Sequence, residues 1–136
     1  VGGASAGGQL ALYVFLKNTG AQNRCRGFIG YNPVVDVDRK SFSKIFKDTG
    51  EAYNPMTLLD HQTPPMLIFH GTDDNVVPIE EVYAFKSKAA EFDVQVEVSE
   101  FEGASHGFFN YSKSTSEERK RMSNEALIFL QSNLVE

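Results

Sequence analysis

The stretch Gly3-Ala4-Ser5-Ala6-Gly7 decides how the rest of this chain is interpreted. It fits the pattern Gly-x-Ser-x-Gly, in which a serine lies on a sharp turn between a strand and a helix, with its hydroxyl projecting above a sheet. Glycines two residues either side of the serine let the strand and the helix approach closely. Val1 and Gly2 would end the strand, and residues 8–18, rich in Leu, Ala and Phe, would form the helix. The alternative is a flexible glycine-rich start.

Two other interpretations of a glycine-rich start fail on the residues. A Walker loop needs a Lys and then a Ser or Thr after its last glycine, whereas Gly8 is followed by Gln9 and Leu10. The dinucleotide fingerprint Gly-x-Gly-x-x-Gly does not occur in the sequence. The single cysteine, Cys25, and three scattered histidines lack the spacing of zinc ligands. We therefore expect neither a metal nor a cofactor.

The composition is that of an ordinary globular domain. Its 136 residues are 41% hydrophobic and 23% charged, which excludes a disordered or collagen-like chain. With 13 Lys and Arg against 18 Asp and Glu, the net charge is −5 and there is no basic cluster, so we expect no binding to nucleic acid or anionic membranes. No apolar run approaches the roughly 20 residues that span a bilayer, so we expect no membrane span.

Alternating strands and helices are predicted along the rest of the chain. The runs 27–31 and 66–70 are short and apolar, which is typical of strands buried on both faces of a parallel sheet. Residues 94–98 alternate in polarity, which predicts a strand near a sheet edge. Pro78 suits the first position of a helix, and Ser114 with Glu117 matches a capping box before a last helix with an apolar stripe. The pattern predicts an α/β fold with parallel crossovers.

Acidic residues and a histidine follow two of these predicted strands. Asp73 and Asp74 come after residues 66–70, and His106 comes after the third strand. A serine hydroxyl needs a base to take its proton, and the base needs an acid to orient it. Because open α/β sheets place their sites at the carboxyl ends of strands, we expect these groups to lie near Ser5.

Three motifs together resemble the α/β-hydrolase superfamily, in its esterase/lipase branch of hormone-sensitive-lipase-like and acetyl- or feruloyl-esterase-like enzymes. They are Gly-Ala-Ser-Ala-Gly-Gly, His-Gly-Thr-Asp-Asp-Asn-Val-Val-Pro and Ser-His-Gly-Phe-Phe-Asn-Tyr, in that order, and the resemblance extends from residue 1 to about residue 134. It implies hydrolysis of small carboxylic esters through an acyl-enzyme. Ser5 would be the nucleophile, His106 the base and Asp74 the acid.

The same resemblance implies an oxyanion hole that this sequence holds only in part. One donor would be the backbone N–H of Ala6, and the other set would lie on a His-Gly-Gly-Gly-type motif upstream, which these 136 residues lack. We therefore expect residues 1–136 to be the carboxyl-terminal part of a single α/β-hydrolase domain, from the serine turn onward, with weak or no activity alone. Residues 36–63 lie where such enzymes carry lid or pocket elements.

Several residues compete with these assignments, and each has a structural explanation. Asp73 is the rival acid, but an Asp often shapes a turn through its own backbone. His70 is the rival base, but it precedes the aspartates and ends a buried strand. His61 lies in a polar loop, Glu102 at a strand end, and Cys25 fits a buried thiol without chemistry.

Two other functions remain open. A prolyl-oligopeptidase-like serine peptidase is similar in the serine and His-Gly-x-x-Asp-x-x-Val motifs. A non-catalytic α/β-hydrolase-like module is the other alternative, since the strand before Ser5 would form an exposed sheet edge. Because such an edge pairs readily with another chain, we expect a homo-oligomer or pairing with the missing part of the domain. The expected small-molecule partner is an ester substrate.

Overall fold

One sheet of four parallel strands organises the molecule. The computed structural model describes residues 1–18, 25–38 and 50–134. The strands are β1 (Gly2–Ala4), β2 (Phe28–Tyr31), β3 (Met66–Gly71) and β4 (Val96–Phe101). They lie side by side in that order, with Ala4 opposite Tyr31 and Tyr31 opposite Phe69. This parallel sheet confirms the predicted fold class.

Helices cover both faces of this sheet. They are α1 (Ser5–Lys17), α2 (Gly50–Tyr53), a 3₁₀ helix (Pro55–Thr57), α3 (Ile79–Ala90, with Pro78 as its N-cap) and α4 (Ser116–Leu134). The apolar side chains of α1 and α3 form one core cluster with the sheet, and those of α4 form a second cluster on the other face. None of the described helices is long and apolar enough to cross a membrane.

Strand β3 lies at the centre of both clusters, and all six of its residues are buried. Met66 and Ile68 face the cluster of α1 and α3, whereas Leu67 and Phe69 face that of α4. Fully burying a side chain such as Phe69 contributes about 1.5–3 kcal/mol to stability. The continuous apolar run is therefore a strand buried on both faces, as predicted, and it carries the acidic loop at its carboxyl end.

The last strand begins later than predicted. The alternation indicated residues 94–98, but β4 spans Val96–Phe101. Asp93 adopts a left-handed conformation with φ of 60°, and the N–H of Val94 donates to the carbonyl oxygen of Ala89. This turn at the end of α3 holds Val94 in the connection, because its N–H is already used there.

The capping box of α4 lies one residue after its predicted place. The Oγ1 of Thr115 accepts a hydrogen bond from the N–H of Glu118, whose carboxylate accepts from the N–H of Thr115. Ser114, predicted as the cap with Glu117, instead donates its hydroxyl to the carbonyl oxygen of Asn110. Both Ser114 and Thr115 suit a cap, so the sequence does not choose between neighbours.

The predicted pocket element at residues 36–63 falls partly outside the described residues, which do not include 39–49. In the described part of this segment, the centroid of the Tyr53 ring lies 5.4 Å from that of Tyr13. The backbone carbonyl oxygen of Tyr53 accepts a hydrogen bond of 2.9 Å from Nε2 of Gln9. This part of the segment packs on α1. Its role in a substrate pocket stays a prediction.

Gly71 is expected to tolerate no side chain. A Cβ at this position would overlap the carbonyl oxygen of Ala104, in the loop after β4. We expect Gly71→Ala to lower the free energy of unfolding by about 1–3 kcal/mol, as overpacking does, measured by urea denaturation. Gly7→Ala is the matched control, since a Cβ there meets no atom of the described residues within 4 Å. It should be neutral or stabilise the helix by up to about 1 kcal/mol. Equal stability of both variants would contradict this account.

Candidate active site

Ser5 lies in a strained turn between β1 and α1. Its φ of 50° is left-handed, which is uncommon for a residue other than glycine. An added Cβ at Gly3 would lie 2.6 Å from the carbonyl oxygen of Gly7, and one at Gly8 would lie 2.8 Å from Pro33 Cβ. The close approach of β1, α1 and Pro33 therefore needs glycine at positions 3 and 8. Gly7 was also expected to be needed for close packing, but a Cβ there would meet no atom of the described residues within 4 Å. The turn raises the Ser5 hydroxyl at the carboxyl end of β1.

Three predicted side chains meet in one hydrogen-bonded chain. The Oγ of Ser5 lies 2.9 Å from Nε2 of His106, and Nδ1 of His106 lies 2.7 Å from Oδ2 of Asp74. Because the carboxylate oxygen accepts, we assign the ring proton to Nδ1, which leaves the Nε2 lone pair facing the hydroxyl. This arrangement can accept a proton from Ser5.

Asp74 is held by donors on both of its oxygens. Its side chain is fully buried, and Oδ1 accepts the backbone N–H groups of Val76 and Val77, each at 2.9 Å. Oδ2 accepts from Nδ2 of Asn32 at 2.8 Å as well as from His106. A buried carboxylate needs such partners, because an unpaired buried charge is strongly destabilising.

Asp73 occupies the same turn but has a different environment. It is exposed, and its backbone N–H donates to the carbonyl oxygen of Ala104 at 3.1 Å. In the same way, Gly103 donates its N–H to Oγ1 of Thr72 at 2.8 Å. These bonds tie the loop after β3 to the loop that carries His106. The bond of Asp73 comes from its backbone N–H, so a turn-shaping role of its side chain stays a prediction.

The loop around His106 is fixed from its other side as well. Nζ of Lys113 donates to the carbonyl oxygen of His106 at 3.1 Å, and Gly107 adopts a φ of 74°. Beneath the loop, the ring of Phe108 lies 4.6 Å from that of Phe101. The imidazole itself is 22% exposed, so one side of it remains open to a substrate or to water.

His70, the rival base, is buried below this chain. Its Nε2 lies 2.9 Å from the carbonyl oxygen of Val77 and 3.6 Å from Oδ2 of Asp74. Burial lowers the pKa of His70, which outweighs the opposing effects of the Val77 hydrogen bond and of Asp74. The residue is therefore neutral, its contact with Asp74 is not an ion pair, and Nε2–H donates to Val77.

The remaining candidates lie outside the hydrogen-bonded chain. His61 is exposed, and its Nδ1 lies 3.0 Å from the carbonyl oxygen of Phe92. Glu102 is exposed at the turn after β4, as expected. Cys25 is half-buried against the core cluster of α1 and α3, so it is less buried than expected.

We expect His70 to make stability depend on pH. Since its pKa is lowered in the folded protein from the ordinary 6.5, the unfolded chain binds more protons below that pH, and stability falls as the pH falls. His70→Gln keeps an N–H donor for Val77 but does not titrate. Its unfolding free energy should depend less on pH below 6.5, by up to about 1.4 kcal/mol per pH unit. Urea denaturation between about pH 8 and pH 5 measures this, and identical slopes would contradict it.

Asn32 was not predicted from the sequence, although it contacts Asp74. It follows the carboxyl end of β2 directly, and strand ends are where open α/β sheets place functional side chains. If the search for polar residues at strand ends had included residues that are neither acids nor bases, it would have marked Asn32 as a candidate. Ala6 follows Ser5 in the first turn of α1, where backbone N–H groups lack acceptors within the helix.

Comparisons with known proteins identify the family and the fold. The model of the Dienelactone hydrolase family matches residues 1–132. The chain is similar to the native structure of esterase 2 from Thermogutta terrifontis, with 28% identity and a TM-score of 0.81 over 96% of this chain and 53% of that chain. The form of this esterase phosphoramylated by tabun is 27% identical, with a TM-score of 0.80 over 96% of this chain and 53% of that chain. The butyrate-bound form is 25% identical, with a TM-score of 0.76 over 99% of this chain and 57% of that chain.

These structures are esterases of the α/β-hydrolase fold, so the resemblance inferred from the three motifs is confirmed. The chain spans about half the length of the esterase structures it matches. A search of curated proteins gave no match.

Proposed function

This chain belongs to the dienelactone hydrolase family, and from that premise we propose that it carries the nucleophile, base and acid of a serine esterase. The observation that carries the proposal is the hydrogen-bonded chain from Ser5 through His106 to the buried Asp74. The substrates would be small carboxylic esters, cleaved through an acyl-enzyme.

Each residue has a defined step in this reaction. Oγ of Ser5 attacks the ester carbonyl carbon while Nε2 of His106 takes the hydroxyl proton, and Asp74 stabilises the imidazolium that forms. The backbone N–H of Ala6 donates to the oxyanion. Collapse of the tetrahedral intermediate breaks the bond to the alcohol, which receives the proton from His106. A water molecule, deprotonated by the same Nε2, then releases the acid and restores Ser5.

The proposed activity belongs to the full-length protein that contains this chain. A second oxyanion donor would come from outside residues 1–136, and removing one such donor typically costs about 10²–10³ in kcat. The chain alone would therefore be a weak catalyst or inactive.

Ligands of the structural relatives support short acyl groups as substrates. Structures of the similar esterase from Thermogutta terrifontis have propionate or butyrate bound. The same enzyme is phosphonylated by sarin and phosphorylated by paraoxon. We propose that Ser5 accepts short acyl groups and reacts with organophosphorus reagents in the same manner.

Turnover of two substrates by the full-length protein tests this function. We expect hydrolysis of p-nitrophenyl acetate and p-nitrophenyl butyrate, and covalent labelling of Ser5 by a fluorophosphonate. Hydrolysis of a Pro-peptide anilide alone would establish the peptidase instead. A folded protein with neither turnover nor labelling would be a non-catalytic module.

The free edge of β1 supports a further part of this proposal, namely pairing with another chain or with the rest of the domain. Among the described residues β1 lies at one end of the sheet. Beside it is a hollow of about 700 Å³, lined by Gly2, Ile29, Phe129 and Leu130 among others. Unpaired strand edges beside apolar surface favour association. For residues 1–136 alone, we expect light scattering to give a mass above that of a monomer; a monodisperse monomer would contradict the pairing.

A further inference from the structure

Asn32 combines complete burial with two unfavourable local features. Its φ of 43° is left-handed, and its side-chain Oδ1 has no hydrogen-bond partner among the described residues. An unpaired buried oxygen costs stability, and left-handed backbone favours glycine even over asparagine, which adopts it more readily than most residues. Its amide Nδ2 makes one bond, of 2.8 Å, to Oδ2 of Asp74. Packing alone does not account for an asparagine here, because a smaller residue such as glycine would remove both costs.

The single bond of the Asn32 amide falls on the oxygen that also holds His106. Oδ1 of Asp74 is fixed by the N–H groups of Val76 and Val77, and Oδ2 is shared by Nδ2 of Asn32 and Nδ1 of His106. Donors at both oxygens fix the plane of the carboxylate. Without Asn32, the carboxylate keeps its Oδ1 anchors, but Oδ2 loses the donor that sets its direction toward His106.

The segment that begins at Asn32 also touches the nucleophile. The N–H of Val34 donates to the carbonyl oxygen of Ser5 at 3.3 Å, and Pro33 packs on Gly8 in the first turn of α1. The N–H of Asn32 donates to the carbonyl oxygen of Phe69 in β3 at 2.9 Å. The three residues 32–34 after β2 therefore link β3, which leads to Asp74, to the turn that carries Ser5.

We propose that Asn32 is a positioning residue of the esterase reaction, which acts through Asp74 by fixing the carboxylate oxygen that orients His106. This inference rests on the proposed function. Among the described residues no hydrogen bond joins the Asn32 side chain to Ser5 or His106, and its amide bonds only Asp74. Its effect is therefore expected on proton transfer, not on substrate binding.

Two substitutions in the full-length protein separate this role from a structural one. Asn32→Asp is isosteric and suits left-handed backbone, but it replaces the donor by an acceptor facing Asp74. Asn32→Gly suits the same backbone and removes the donor without adding charge. For both we expect kcat to fall about 10- to 100-fold, the scale of a small misplacement of a catalytic group, with KM unchanged. Asn75→Asp is the matched control, because it adds the same charge at an exposed neighbour of Asp74 and should keep wild-type kcat.

A second readout does not depend on turnover. The low-field proton resonance of His106 Nδ1–H reports the bond to Asp74, and we expect it to shift or broaden in Asn32→Gly while circular dichroism stays unchanged. A folded Asn32→Gly protein with wild-type kcat and an unchanged resonance overturns the inference. If wild-type protein lacks turnover, the proposed function fails, and the resonance alone then decides whether Asn32 holds the Asp74–His106 pair. Should Asn32→Asp fail to fold, the glycine variant decides.

Discussion

Replacing Ser5 by alanine is expected to lower kcat for p-nitrophenyl acetate by about 10⁴-fold or more and to abolish labelling by a fluorophosphonate. The Oγ of Ser5 is the only hydroxyl placed against Nε2 of His106 among the described residues, at 2.9 Å. Without it, no group can form the acyl-enzyme. Since alanine and serine bear the left-handed φ of 50° equally poorly, the substitution should leave the turn and the stability of the protein unchanged.

Ser105→Ala is the control for this experiment. Ser105 precedes His106 directly and is exposed, so its loss tests whether any change in this loop reduces activity. We expect kcat within about twofold of wild type, since exposed substitutions away from special features have small effects. Full activity of Ser5→Ala, or labelling retained in that variant, would show that Ser5 is not the nucleophile.

The sheet could be predicted because its signals are local. The apolar run of β3 needs no partner to be recognised, and its burial on both faces follows from the absence of alternation. The bounds of β4 could not be predicted in the same way. They depend on the left-handed turn at Asp93 and on a bond from Val94 back to Ala89, and these belong to the end of α3 and not to the strand.

The three side chains of the candidate site could be named because each follows a strand or a strand remnant. Asn32 also follows a strand directly, but its contact with Asp74 could not be predicted, because that contact comes from the pairing of strands. Tyr31 lies opposite Phe69 in the parallel ladder, so Asn32 lies beside the end of β3, from which the loop of Asp74 begins. The order of strands in the sheet creates this contact, and no local pattern around Asn32 indicates that order.

The glycines around Ser5 also depend on contacts that the local sequence does not indicate. The motif marks Gly3 and Gly7, yet a Cβ would collide with neighbouring atoms at Gly3 and Gly8 and not at Gly7. Gly8 is constrained by Pro33, which lies after β2 and so approaches α1 only in the folded protein. A sequence pattern records which residues occur at a turn, whereas the reason for each depends on which segment packs there.

Asp74→Asn is expected to lower kcat by about 10⁴-fold, the scale seen when a triad aspartate becomes an amide. Each carboxylate oxygen of Asp74 accepts two hydrogen bonds. Oδ1 accepts from Val76 and Val77, and Oδ2 accepts from Asn32 and His106. An amide at this position must turn its NH₂ group toward one of these pairs of donors. If the NH₂ faces His106, Nδ1 must become the acceptor and Nε2 must carry the proton, and a protonated Nε2 cannot take the proton of Ser5.

Asp73→Asn provides the matched comparison, since it makes the same chemical change one residue away. The side chain of Asp73 is exposed, and the bond that shapes the turn comes from its backbone N–H to Ala104, which the substitution keeps. We expect kcat close to wild type and an unchanged urea midpoint. If Asp73→Asn loses activity about 10⁴-fold while Asp74→Asn retains it, the acid is Asp73. The buried carboxylate with four donors would then serve the fold alone.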